Sequence, residues 1–425
     1  MLALLAVAVS LGQEPAPPVL SHGPLRGPNG PASLSIWARA DRPGEYRLEL
    51  THAADGSATN WQAQAELRTD LTLHWQATGL PAGAAFTAVV YRGEQVVFAD
   101  RSWVLTTAPK EPAAAAVVAF GSCSNDKLFP EQPIWGQVLA RAPQALVLLG
   151  DTPYIDLGTL PARRQRFREF YALPSVRAAL QTVPTWATWD DHDFATNDAF
   201  GAAKGSDTAR QVFAEYHADA RLGDGREGIY TSFRRGPLEV FLLDTRSFAD
   251  TGPSPFAAEA RTLLGPAQSA WLQAGLRQSL APFKVLACGM VWNGAVRPKK
   301  LDCWANWSDE RDALWRWLGS AGIGGVVLVS GDVHRSRVLR HATHTSVGYE
   351  LLEFVTSPLA QNPIASNAVE VPGLEFDAAE PHSALLLHAT GHGAAAQLQA
   401  TFVAGDGREF HHRTVLRRDL EPAPR

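Results

Sequence analysis

Two folded units of different grammar are expected from this chain: a small all-β sandwich, then a larger layered α/β domain. Three observations predict this. Stretches of period-two alternation broken by turn residues fill residues 20 to about 108. From Val117 the apolar runs become short and unbroken, as strands buried on both faces require. Helical patterns lie between those later runs, which is the alternation of a layered α/β domain.

The elements follow in order. Residues 1–10 are apolar, and a polar, proline-rich stretch begins at Gln13. That resembles the apolar core and small-residue cleavage site of an export signal, without its positively charged start. It is too short to span a bilayer. Export to the periplasm, cell envelope or medium is therefore expected, with 1–19 as the leader. No other run is long and apolar enough for a transmembrane helix. Segments 33–39, 45–51, 71–75, 86–91 and 102–107 each read as a strand, and the turn at 78–83 is that of fibronectin-type sandwiches. This small all-β, fibronectin-like sandwich is placed at 20–110, and the Ala/Pro-rich linker after Ala108 marks its end. The second domain is placed at 117–425. Its strands are expected at 117–121, 145–150, 185–189, 238–243, 284–288 and 325–330. Its helices are expected at 162–171, from Gly265-Pro266 through Leu272, and at 309–318.

A length of 425 residues suits two domains, and 46% apolar residues suffice for a sizeable core. The net charge of −5 argues against nucleic acid as the main partner. It leaves room for a small phosphate ester, which metal ions can hold without help from the global charge. The 13 tryptophans read as core and pocket walls. Three cysteines form no disulfide framework. Cys288 and Cys303 are close enough in sequence to pair, which leaves Cys123 to be explained.

Polar residues just past the ends of parallel strands converge on one edge of the sheet. Four expected strand ends carry them: Gly121-Ser122-Cys123; Gly150-Asp151 with Tyr154; Asp190-Asp191-His192-Asp193 with Asn197 and Asp198 behind; and Ser330-Gly331-Asp332-Val333-His334. One such aspartate would read as a helix cap; four strand ends bearing thiol, carboxylate, phenol, amide and imidazole read as a metal centre. Thiolate and imidazole suit a softer transition metal, so Cys123 and His334 point to iron or zinc. Asp191, Asn197 and Asp332 fit a harder neighbour such as calcium, magnesium or manganese. Asp151 is the candidate bridge, and a phenolate from Tyr154 favours ferric iron over zinc. Two ions about 3.5–4 Å apart clamp a phosphoryl group and activate water near neutral pH. His192 is read as a proton donor or as the partner that orients Asp191, ahead of direct ligation. Asp190 is structural, because adjacent residues on extended chain point apart. Asp244 and Arg246 suit a plain salt bridge, with a phosphate-facing Arg246 the alternative. Arg335 and Arg337 suit substrate binding or a solvated surface, and the histidines at 382, 388, 392, 411 and 412 read as surface residues.

Those four motifs together resemble the alkaline phosphatase D family, also called PhoD-like phosphatases. Further similar segments are Leu243-Asp244-Thr245-Arg246, Gln268 with Trp271-Leu272, Asp302-Cys303-Trp304 before Glu310-Arg311, and Glu353 through Pro358. The resemblance covers roughly 117–358, and more weakly the preceding sandwich. It implies a metallophosphatase-like layered β-sandwich flanked by helices, holding Fe3+ and Ca2+, with Zn2+, Mn2+ and Mg2+ as alternatives. It implies iron on Cys123, Asp151, Tyr154 and His334. The second ion would sit on Asp151, Asn197 and Asp332, with Asp191 as a further candidate. Asp151 and His192 would serve catalysis. The implied reaction is hydrolysis of small phosphate esters, with a phosphodiesterase or phospholipase D-type activity as the alternative on the same site. A non-catalytic exported binding protein is the third reading. Two departures stand out: Pro153 in the Asp151–Tyr154 loop, and adjacent Asn197 and Asp198 competing for one role. Residues 359–371 match no pattern.

Overall fold

The computed structural model describes residues 19–156, 158–218, 221–294 and 300–422, so the expected leader lies outside the described residues except for Val19. Seven strands form the first unit: β1 (Leu20–Gly30), β2 (Ser33–Ala40), β3 (Gly44–His52), β4 (Ala58–Ala65), β5 (Thr72–Thr78), β6 (Ala85–Arg92) and β7 (Gln95–Thr106). They make two antiparallel sheets, β1-β2-β5 and β4-β3-β6-β7. Alternate residues point inward and bury Ile36, Tyr46, Leu48, Leu50, Trp75, Phe86 and Val90 in a core of their own. All five expected strands are there, and two more. β1 carries Gly-Pro pairs that read as turns, and its pairing with β2 slips in register at three places. β4 is a polar edge strand, so only every second side chain signals burial.

Among the described residues the second unit has thirteen strands: β8 (Ala115–Gly121), β9 (Ala145–Leu149), β10 (Thr185–Thr188), β11 (Thr231–Arg235), β12 (Leu238–Leu242), β13 (Phe283–Ala287), β14 (Val326–Ser330), β15 (Ser336–His341), β16 (Leu351–Val355), β17 (Leu374–Ala378), β18 (Ser383–Thr390), β19 (Gln397–Ala404) and β20 (Glu409–Leu416). One sheet runs β10-β9-β8-β18-β19-β20, the other β11-β12-β13-β14-β16-β15-β17. β8, β9 and β10 are parallel in the first, and β12, β13, β14 and β16 in the second. Val118, Phe120, Val147 and Leu149 of the first sheet share one core with Val240, Val285 and Leu328 of the second, so the two sheets pack face to face.

Helices cover the outer faces. α1 (Ile134–Ala140), α2 (Leu160–Ala172) and α3 (Pro174–Thr182) lie in the chain between β8 and β10; α4 (Asp191–Phe194) and α5 (Ser206–Tyr216) follow, then α6 (Gly265–Gln278), α7 (Ser308–Ser320) and α8 (His344–Val347). Trp135, Phe167, Phe170, Leu180 and Phe213 pack on the outward Ala119, Leu146 and Leu148 of the first sheet. Leu272 and Leu276 of α6 and Leu314 and Leu318 of α7 join the core of the second. The result is a layered β-sandwich flanked by helices.

The small sandwich is joined to α2 and α5 by buried polar contacts. Arg164 grips Glu215 through Nε and Nη2 at 2.7 and 2.6 Å, and the same Nη2 also donates to the Arg68 carbonyl at 2.5 Å. Asp70 accepts from Arg39, Arg168 and Tyr216. Trp37 Nε1 donates to the Glu215 carbonyl at 2.8 Å. Such bidentate, partly dry pairs fix orientation as well as contributing energy.

Candidate functional site

The C-terminal ends of the parallel strands of both sheets meet at one edge. The backbone there leaves the sheets by left-handed turns: φ is 57° at Cys123, 54° at Asp151, 65° at Asp332 and 52° at His334. Non-glycine residues rarely adopt this region, and surrounding bonds must hold them in it. Those bonds join neighbouring strand ends, within each sheet and across the two. Cys123 N donates to the Gly150 carbonyl at 3.1 Å and Ser124 N to the Asp151 carbonyl at 2.9 Å. Leu359 N and Ala360 N donate to the carbonyls of Ser122 and Cys123 at 2.8 and 3.1 Å. His334 N is held by Ser357 Oγ at 3.0 Å. Gly150, at φ 99°, admits no side chain, because a Cβ there would lie 2.2 Å from Asp190 N.

Cys123, Asp151 and His334 come together, with thiol, carboxylate and imidazole atoms all within 4.8 Å of one another. Tyr154 Oη lies 2.9 Å from His334 Nε2. The other ring nitrogen, Nδ1, is 3.1 Å from the Asn362 carbonyl. A carbonyl can only accept, so Nδ1 carries the proton and Nε2 presents its lone pair to the site. Burial pushes the His334 pKa down to about 4 and keeps the ring neutral. Burial, and then the Asp151 carboxylate, hold the Cys123 thiol well above its ordinary range. Burial and then Cys123 and Asp151 do the same to the Tyr154 phenol. A thiol and a phenol beside a buried carboxylate become anionic only when a cation neutralises them.

Asp151 also meets Asp191 and His192 within 4.8 Å, and Asp191 in turn meets Asp198 and Asp302 within that distance. The carboxylates thus form a continuous row from Cys123 to Asp302. Burial and the neighbouring Asp191 raise the Asp151 carboxyl. Burial opposes ionisation of Asp191 too, but the Arg246 guanidinium and His192 hold it below the ordinary range. Burial lifts Asp332 to about 6 against the pull of Lys300. Among the described residues, Asp198 Oδ1 is buried without a hydrogen-bond partner. Asp332 Oδ2 has only an ion pair, to Lys300 Nζ at 2.7 Å. Clustered carboxylate oxygens short of hydrogen bonds fit a hard cation, and the thiol–imidazole–phenol set fits a softer one.

Around the row stand residues that orient it. Arg246 is fully buried and grips Asp190 through Nε at 2.8 Å and Asp302 at 2.6 and 3.0 Å. It therefore faces neither Asp244 nor a substrate. Asp244 instead accepts from Trp189 Nε1 at 2.8 Å and from the backbone of Ile229, Arg246 and Ser247. Asp190 caps α4 reciprocally with Asp193 and points away from the row into Arg246. His192 stands at the rim, with Nδ1 2.6 Å from Asp156 Oδ1 and its ring 4.6 Å from that of Tyr154. Burial alone would lower its pKa; Asp156, Asp151 and Asp191 lift it to about 10.

Asn197 is exposed, whereas Asp198 is tied to the row by its amide, which donates to Asp191 Oδ2 at 2.6 Å. Arg335 and Arg337 both pair with Asp377, at 2.5–2.9 Å, and are buried against β17 rather than solvated. The three cysteines are free: the Cys288 thiol donates to the Met290 carbonyl and the Cys303 thiol to that of Lys300. His382 and His411 are half-buried, and the ring of His411 stacks on Phe376 at 3.9 Å between centroids. Sequence reasoning missed Asp156, Asn362, Lys300 and the place of Asp302 in the row. Asp302 had a signal, in the segment Asp302-Cys303-Trp304. Asn362 acts through its backbone, which no side-chain pattern reveals.

The chain is similar to known proteins in sequence and in fold. A family model described as PhoD-like phosphatase matches residues 118–399. Alkaline phosphatase D of Bacillus subtilis (strain 168) is 29% identical over 213 residues, an alignment spanning 43% of this chain and 36% of that protein. A solved structure described as that of PhoD has the same fold, with a TM-score of 0.73 over 98% of this chain and 95% of that one at 18% identity. The matched segment holds every strand end that builds the row, and the chain belongs to the PhoD-like phosphatase family.

Proposed function

We propose that this protein is an exported phosphoric ester hydrolase that works with two unlike metal ions. Residues 117–425 form its catalytic unit and 20–110 its supporting sandwich. The carrying observation is the row of ligand-type groups, Cys123, Asp151 and His334 continuing into Asp191, Asp198 and Asp302, in which the carboxylates of Asp151, Asp191 and Asp302 are buried. Such a row is costly to bury unless cations occupy it. Cys123, Asp151, Tyr154 and His334 would hold the softer ion, ferric iron by family resemblance. Asp151, Asp191 and Asp332, with Asn197 or Asp198, would hold the harder one, calcium by the same resemblance. Ions bound there polarise a phosphoryl oxygen and acidify water.

The chain's own residues supply the rest. The Asn362 carbonyl fixes the His334 tautomer, and Arg246 holds Asp190 and Asp302 so that Asp191 and Asp198 keep their spacing. His192, propped by Asp156 at the rim, donates its proton to the leaving alkoxide. Small phosphate monoesters are the first substrate class and diesters, phospholipids included, the second. Export is supported by the apolar residues 1–10; among the described residues no helix is long and apolar enough to cross a membrane.

The test is metal analysis of purified protein beside assays on p-nitrophenyl phosphate, bis-p-nitrophenyl phosphate and phosphatidylcholine. Bound metal is expected, with loss of hydrolysis on chelation and in Asp151→Ala. Metal-free protein, or full activity in Asp151→Ala, would overturn the reading. Cell fractionation tests export.

A further inference from the structure

The acidic half of the row already holds a cation that the chain itself supplies. Lys300 Nζ lies 2.7 Å from Asp332 Oδ2, 3.7 Å from Asp198 Oδ1 and 3.8 Å from Asp302 Oδ2. Its side chain is only 4% exposed. A lysine is almost never buried so far unless paired, and all of its ion-pair partners among the described residues belong to this site. Two of the buried carboxylate oxygens that lack a hydrogen-bond partner among the described residues, Asp198 Oδ1 and Asp332 Oδ2, are ones its ammonium faces.

A hard divalent ion would need the same atoms. Calcium binds carboxylate oxygen at about 2.3–2.6 Å, close to the distance at which the ammonium now meets Asp332. Two positive charges sharing one buried oxygen repel strongly where the local dielectric is low. Arg246 is not the competitor, because both edges of its guanidinium are engaged by Asp190 and Asp302. Among the described residues the Lys300 ammonium has no ion-pair partner outside this site, and a four-carbon stem lets its head group leave without moving the backbone.

We propose that Lys300 is the resident cation of the hard-ion position and that a divalent ion enters only by displacing its ammonium. This rests on the two-metal reading and deepens it: the affinity for the second ion is set by the competition, while the softer position is filled independently.

Two measurements on the full chain test it. In the first, calcium is titrated calorimetrically into metal-stripped wild type and Lys300→Met, which keeps the side chain's length without its charge. Calcium should bind the variant at least about tenfold more tightly. In the second, folded wild type is acetylated by an N-hydroxysuccinimide ester with and without calcium, and each lysine is read by peptide mass spectrometry. Lys300 should be protected without calcium and labelled several-fold more with it, while the exposed Lys127 is unchanged. This second measurement stands even if Lys300→Met does not fold. Equal or weaker calcium binding by the variant, or Lys300 protected with calcium bound, overturns the competition and leaves the two-metal reading intact. Calcium binding to neither protein overturns both the competition and the hard-ion site; phosphate-ester hydrolysis is then judged separately by the assays above.

Discussion

Tyr154 Oη and His334 Nε2 stand 2.9 Å apart, although one follows β9 of the first sheet and the other β14 of the second. The contact closes the softer half of the row across the sandwich. Tyr154→Phe should keep the fold, because only the hydroxyl is lost. It should remove the visible charge-transfer band expected of ferric phenolate and lower hydrolysis by about 10–100-fold. Absorption spectra of the two proteins at equal iron content check this. An unchanged band would take the phenol out of the metal's ligand set.

Arg246 is the second point of stress. Its guanidinium is wholly buried between Asp190 and Asp302, so removing it strands two carboxylates in the interior. Breaking such a pair typically costs about 3–5 kcal/mol. Arg246→Met should therefore lower the stability to urea by that amount, and Arg246→Lys should recover only part of it, since an ammonium cannot reproduce the planar fork that bonds both carboxylates through several nitrogens. Equilibrium unfolding monitored by tryptophan fluorescence reads both variants.

Much of this was legible in the sequence, for physical reasons that differ by element. Strands buried on both faces, such as β9 and β14, announce themselves as unbroken apolar runs, and their ends located Cys123, Asp151, Asp191 and Asp332. β18, β19 and β20 escaped notice because they add to the first sheet from the far end of the chain, β18 pairing with β8 across more than 260 residues. The tract 359–371 matched no pattern, yet Leu359 and Ala360 brace the Cys123 turn and Asn362 fixes the His334 ring. Those contacts are made by backbone atoms, and side-chain identity does not encode them. Asp244 and Arg246 are two apart in sequence and were expected to pair, but the Asp244 carboxylate takes Trp189 Nε1 and nearby backbone amides while the Arg246 guanidinium takes Asp190 and Asp302.

His217 makes stability fall in acid. It is half-buried just past the end of α5, its ring stacked on Phe213 at 3.9 Å, and Nδ1 faces the Phe213 carbonyl. Burial lowers its pKa to about 4, against 6.5 for the free side chain. Because the folded pKa is the lower one, protonation favours the unfolded chain. Its penalty is absent above about pH 6.5 and grows as pH falls toward 4, reaching about 3 kcal/mol. His217→Asn, which keeps a donor for that carbonyl, should flatten this part of the profile. Urea midpoints measured from pH 7.5 to 4.5 on both proteins should converge on the acid side.

His192 should matter in proportion to how badly the leaving group needs a proton. It stands at the rim with Asp156 behind it, 2.6 Å from Nδ1, so Nε2 is the atom free to serve a departing oxygen. p-Nitrophenolate leaves readily without help, whereas an alkoxide is a poor leaving group until protonated. General acid catalysis is typically worth about 10²–10⁴-fold where it is needed. His192→Gln should therefore slow hydrolysis of an alkyl phosphate by about a hundredfold or more and that of p-nitrophenyl phosphate by much less. Asp156→Asn should give a weaker version of the same pattern, since it leaves the imidazole in place but loosens its support. If His192 instead serves only to orient Asp191, both substrates will lose rate equally and bound metal will fall with them. Steady-state rates on the two substrates, taken with the metal content of each variant, separate these outcomes.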